Sequence, residues 1–128
     1  MPLFKRVKTS SRFSSSPSLA GLVVEIRSEG DPTDLDTKLP VQGEIIESFE
    51  IADTPGGWHL VWLDEAIESD GETHAHLMIA PRWVARPLTA VQEIPVNVRY
   101  VPDVTLVQKG APDIEKLPFA SKANAILV

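Results

Sequence analysis

Residues 57–84 read GWHLVWLDEAIESDGETHAHLMIAPRWV, and this stretch holds all three tryptophans and all three histidines of the chain. At its centre lies Asp70-Gly71, with runs rich in Trp, Leu, Val, Ile and Thr on either side. An Asp-Gly pair readily takes the positive backbone angles of a tight hairpin turn, so the stretch predicts one long β-hairpin in which Ser69 pairs with Glu72. Leu60, Leu63 and Ile67 also have helical spacing. The strand is preferred because it gives both arms matching lengths and a turn.

On the N-terminal side, residues 41–53 predict a strand, followed by Thr54-Pro55-Gly56-Gly57. Pro at the second position and Gly at the third fit a type II turn, which would pair Asp53 with Trp58. Earlier still, Leu22, Val24 and Ile26 alternate with Val23, Glu25 and Arg27, the pattern of a half-buried strand. Between these strands SEGDPTDLDTKLP reads as a loop. Its Asp31, Asp34 and Asp36 lack the spacing, central Gly and closing Glu of a calcium-binding EF-hand, and read as turn-forming and capping residues.

On the C-terminal side, Ile94, Val96, Val98 and Tyr100 alternate with Pro95, Asn97, Arg99 and Val101. This is a strand that Pro95 places at an edge or a start. Residues 104–107 are expected to continue it after a bend at Pro102-Asp103, and 112–117 to form one helical turn. The chain ends in Ala-Ile-Leu-Val, an apolar tail expected to dock as a strand in its own subunit or in a neighbour.

With 128 residues, 43% hydrophobic content and eleven prolines breaking up the apolar runs, the chain is expected to form one domain of short strands. The fold class is all-β: an antiparallel meander over 19–128 closing into a small barrel or sandwich, with an extended N-terminal arm over 1–18. The apolar runs fall well below the ~18 residues of a membrane helix. A soluble protein without a secretory signal is expected, in the cytoplasm or in a protein assembly. No cysteine is present, which excludes disulfides and thiolate metal sites.

Charge is distributed in blocks. The arm MPLFKRVKTSSRFSSSPS carries Lys5, Arg6, Lys8 and Arg12 and no acid, whereas residues 19–72 carry fourteen acids against Arg27 and Lys38. An acidic body repels phosphates, so nucleic acid is disfavoured as a partner. The arm has the Ser-rich, acid-poor composition of a transit peptide. A polar tract has little apolar surface to offset its ordering entropy, so the arm is also a candidate for packing on a second copy or another protein.

Two constellations could carry chemistry. In the register set by Asp70-Gly71, Glu65 lies opposite His76 with His74 two residues along, a carboxylate and two imidazoles that together suit a divalent metal. The alternative is a cross-strand Glu65–His76 ion pair worth roughly 0.2–1 kcal/mol. His59 lies ~20 Å from Glu65 at ~3.3 Å per residue and cannot join. The His-Ala-His spacing is similar to that of the cupin histidine pair, but Ile79, Ala80 and Pro81 stand where that motif places its glutamate.

The second constellation sets Glu47 opposite Asp64, a carboxylate pair of the kind that separates two pKa values for general acid and base work. Both constellations depend on a face assignment. It puts Ile45, Phe49, Ile51, Trp58, Leu60, Trp62, Ala66, Ala75, Leu77, Ile79 and Trp83 on the core face. A single bulge would exchange the faces.

No nucleophile arrangement, phosphate loop or dinucleotide fingerprint accompanies these pairs. The expectation is a non-enzymatic structural or protein-interaction module that assembles with itself or with another protein, needing no cofactor. The alternative is a small barrel that binds a divalent metal or small molecule, in which case it could be an enzyme.

Overall fold

Asp70 and Gly71 adopt φ of 52° and 81°, the two positive angles of a tight primed hairpin turn. They join strand β3 (Trp58–Ser69) to β4 (Glu72–Pro81), with Ser69 paired to Glu72 as the sequence predicts. The computed structural model describes residues 19–49, 57–82, 87–107 and 113–128. The expected arm over 1–18, most of the expected type II turn, Ile51, Trp83 and Pro112 lie outside the described residues.

The remaining strands are β1 (Val23–Arg27), β2 (Val41–Phe49), β5 (Ile94–Tyr100) and β6 (Phe119–Leu127). All pair antiparallel with their chain neighbours, and β1 pairs with β6 to close a barrel. The apolar C-terminus is the closing strand: Leu127 stands opposite Val24 and Ala125 opposite Ile26. Closure leaves no open edge along the barrel wall among the described residues; the hairpin tip beyond Leu63 and before Leu77 pairs with neither β2 nor β5. No helix among the described residues is long and apolar enough to cross a membrane.

The interior is filled by Val24, Ile26, Ile45, Val61, Leu77, Ile79, Ile94, Val96 and Val98, all at 0–1% exposure. Burying a branched side chain of this kind contributes about 1.5–3 kcal/mol, so this cluster is the main source of stability. Leu35, in a 3₁₀ turn (Leu35–Lys38) on the β1–β2 connection, packs into the same cluster. A second cluster lies on the outer side of the sheet. There Phe49, Trp58, Leu60, Met78 and Ala80 are covered by Val101, Val107 and Leu117 of the β5–β6 connection. Arg99 fastens that cover, donating to the Leu117 carbonyl at 2.7 Å with its guanidinium 5.8 Å from the Trp58 ring centre.

Trp58–Val61 is therefore buried on both sides of the sheet, which a strict inside–outside alternation does not anticipate. Two irregularities then correct the predicted register. Trp58 pairs with Phe49, four residues before its expected partner Asp53, which lies outside the described residues, and a bulge between Ile45 and Glu47 shifts the β2–β3 pairing again. On the other side of β3, pairing passes from Trp62–His76 to Ile67–His74, so residues 63–66 stand against Ala75 alone. Val61 and Leu63 consequently face the interior, while Trp62, Ala66 and Ala75, expected in the core, are exposed. At this crowded crossing Gly43 has no room for a side chain: a Cβ would lie 2.5 Å from the Trp62 carbonyl oxygen.

The β5–β6 connection also differs from expectation. Val104–Leu106 does not extend β5 but forms a 3₁₀ turn, because Asp103 accepts from the Thr105 N–H at 3.0 Å and its hydroxyl at 2.7 Å and so caps the turn. Residues Ile114–Lys116 form the expected single helical turn, in 3₁₀ geometry.

Candidate functional site

The polar residues of the barrel end that Leu35 covers converge on the hairpin tip. Asp34 Oδ2 accepts from Ser69 Oγ at 2.9 Å and from the Asp70 N–H at 2.8 Å, tying the β1–β2 connection to the turn. These two bonds, the backbone one first, hold the Asp34 carboxyl below its ordinary range. Tyr100, at the end of β5, donates to Asp70 Oδ2 at 2.9 Å, and its oxygen lies 2.5 Å from Ser69 Oγ. Burial, reinforced by the Asp70 carboxylate, pushes the Tyr100 phenol up to about 12.

His74 is the fifth member. It is 4% exposed, stacks on Tyr100 with ring centroids 4.2 Å apart, and contacts the Ser69 carbonyl through Nε2 at 3.2 Å. A carbonyl only accepts, so Nε2 carries the hydrogen. Its buried Nδ1 has no hydrogen-bond partner among the described residues. Beside this group opens a cleft of about 180 Å³, lined by Asp70, Glu72, His74, Tyr100 and Phe119 and walled by prolines 102 and 118.

A different surface lies across the first four strands. The pairing places Val23, Glu44, Trp62 and His76 side by side on the outer face. Trp62 is 55% exposed and lies near-parallel to His76, with ring centroids 6.4 Å apart and planes 17° apart. Burial against this neighbourhood lowers the His76 pKa. Leu22, Val23 and Val128 are exposed, and the Val128 N–H donates to the Val23 carbonyl at 2.9 Å, which places the chain end beside the row.

The residues singled out in the sequence fall differently. Trp62, not Glu65, stands opposite His76, and Glu65 sits exposed in the bulge beside Asp64. His74 turns toward Tyr100 and His76 toward Trp62, so the bulge at Ala75 separates the two histidines. Glu47 stands opposite Leu60, not Asp64. Among the described residues no three His, Asp or Glu side chains converge as a metal-binding group. His59 is buried elsewhere, its Nδ1 2.8 Å from Ser48 Oγ.

The loop aspartates tether the chain rather than cap a helix, and Asp34, at the N-cap position of the 3₁₀ turn, makes no side-chain cap bond. Asp31 accepts from the Lys122 N–H at 3.0 Å, and Asp36 accepts from the Ser28 hydroxyl at 2.8 Å. Sequence reasoning did not find the Asp34–Ser69–Tyr100–Asp70 cluster. Its one local signal is Asp70 in the turn; the other members are far apart in sequence.

Comparison of the chain with protein-family models, with curated proteins and with solved structures gives no match.

Proposed function

We propose that the chain is a non-enzymatic interaction module that assembles with itself through the outer face of β1–β4. The observation that carries this is the contrast between the barrel's two outer faces. One is roofed by the protein's own β5–β6 connection. The other presents Val23, Glu44, Trp62 and His76 in a row beside Leu22 and Val128, with Trp62 more than half exposed. Trp is among the residues most enriched at binding hot spots, and a rigid stacked ring loses little entropy on association.

Two further features support an outward-facing role. The barrel interior is occupied by branched aliphatic side chains, where a carrier barrel would hold its ligand. The closed barrel wall also confines edge pairing to the hairpin tip, beyond Leu63 on β3 and before Leu77 on β4. The alternative of a metal held by Glu65, His74 and His76 gains no support from a register that separates them.

Native mass spectrometry of the untreated full-length chain tests the proposal. A ligand-free oligomer is expected. A monomer carrying the added mass of a divalent ion or small molecule favours the alternative.

A further inference from the structure

The hairpin-tip cluster is short of hydrogen-bond donors. Three oxygen–oxygen contacts run in series: Asp34 to Ser69 at 2.9 Å, Ser69 to Tyr100 at 2.5 Å, and Tyr100 to Asp70 at 2.9 Å. Only the Ser69 and Tyr100 hydroxyls bring hydrogens to them, one each. With the serine hydrogen directed to Asp34, the Tyr100 hydrogen must serve both Ser69 Oγ and Asp70 Oδ2. Asp70 therefore receives at best a shared donor.

The neighbouring groups have the same bias. His74 spends its ring hydrogen on the Ser69 carbonyl and leaves the Nδ1 lone pair, in a side chain more than nine-tenths buried, without a partner among the described residues. Leaving such an acceptor unsatisfied is costly, and native proteins seldom do so without a ligand, water or functional role. Glu72, exposed at the rim, adds a second carboxylate. His74, Asp70 and Glu72 all line the same cleft, together with the aromatic rings of Tyr100 and Phe119, the latter 49% exposed.

A site made of two carboxylates, one imidazole lone pair and aromatic walls needs a ligand that brings positive charge, several N–H donors and a flat shape. A guanidinium meets all three requirements, since it donates in a planar fork and stacks on aromatic rings. We propose that the cleft between His74, Asp70, Glu72 and Phe119 binds the guanidinium group of a small organic cation. The site is separate from the Trp62 face and does not rest on self-assembly.

The test is titration of arginine amide into the full-length chain labelled with ¹⁵N-histidine, following the His74 Nδ1 resonance. Expected is a saturable shift of that nitrogen, absent when neutral urea replaces the probe. Asp70→Asn, which the positive φ of the turn tolerates, and Glu72→Gln on the surface should each weaken binding about tenfold, the loss of one charge-assisted bond. His74→Phe keeps an aromatic ring against Tyr100 but removes the reporting nitrogen, so its binding is read by isothermal titration calorimetry, in which the saturable heat given by the parent chain should be lost. If that variant does not fold, the two carboxylate variants still decide. Tighter binding of arginine amide than of an acetylated Gly-Arg-Gly amide supports a small-molecule ligand, and the reverse order overturns it in favour of a peptide. No saturable shift at millimolar probe, or affinity unchanged in both carboxylate variants, overturns the site itself.

Discussion

Tyr100 lies nearly face to face with His74, ring centroids 4.2 Å apart and planes 20° from parallel, and its hydroxyl reaches past the ring to Ser69 and Asp70. The stack joins the end of β5 to the start of β4 across a barrel end covered by Leu35. The first prediction concerns the phenol. Tyr100 is the only tyrosine, so phenolate absorbance reads it directly. Its ionisation is expected at about 12 in place of the ordinary 10.0. The folded state holds this proton more tightly than the unfolded chain. The resulting stability is intact below about pH 10 and is lost as pH rises toward about 12. Tyr100→Phe should flatten this alkaline loss in thermal melts. A phenol that titrates at its ordinary value would contradict the described burial.

Asp34 acts in the opposite direction on the pH axis. Its carboxyl is lowered from 3.8 by the Asp70 N–H and the Ser69 hydroxyl. Its contribution is present above that value and disappears as pH falls through the depressed folded-state pKa. Asp34→Ala should lower the melting temperature at neutral pH and reduce the acid sensitivity of what remains. An acid limb identical to that of the parent chain would show that the hairpin tip is not latched in solution.

Gly43 tests the bulge. An added Cβ would meet the Trp62 carbonyl oxygen at 2.5 Å, Val61 Cγ1 at 2.7 Å and Leu63 Cα at 2.9 Å. Two of these are backbone atoms that cannot swing aside. Gly43→Ala should therefore destabilise by about 1–3 kcal/mol in urea unfolding, the usual cost of overpacking. A neutral effect would mean that β2 and β3 do not approach so closely.

The register itself can be tested with a pair of truncations. Ile79 is fully buried in the interior cluster, and Ile79→Ala should cost about 2–5 kcal/mol. Trp62 lies outside, and Trp62→Ala should change stability by no more than about 0.5 kcal/mol. Comparable large losses from both would restore the register in which Trp62 belongs to the core.

What could be read from the sequence was what is encoded locally. Asp70-Gly71 set the hairpin and its first three pairs, and the alternation of Ile94 to Tyr100 set β5. The apolar end of the chain became the closing strand β6. The positions of the bulges have no local signature because they arise from competition between two burial surfaces. Leu60 and Val61 are adjacent, yet one packs under the β5–β6 connection and the other inside the barrel. A strand buried on both sides carries no alternation to reveal its faces, so the sequence pattern alone assigns neither Trp62 nor the two carboxylate pairings to the register observed. The Asp34 latch was hidden for a different reason: its partners, Ser69 and Asp70, lie 35 and 36 residues away, and only the closed barrel brings them together.

Self-assembly through the Trp62 face is tested most directly by sedimentation velocity of the full-length chain beside its Trp62→Glu variant. The proposal predicts that the parent chain sediments as an oligomer and that Trp62→Glu sediments as a folded monomer with an unchanged thermal transition. A parent chain that stays monomeric throughout the micromolar range, or an oligomer indifferent to Trp62→Glu, would contradict it.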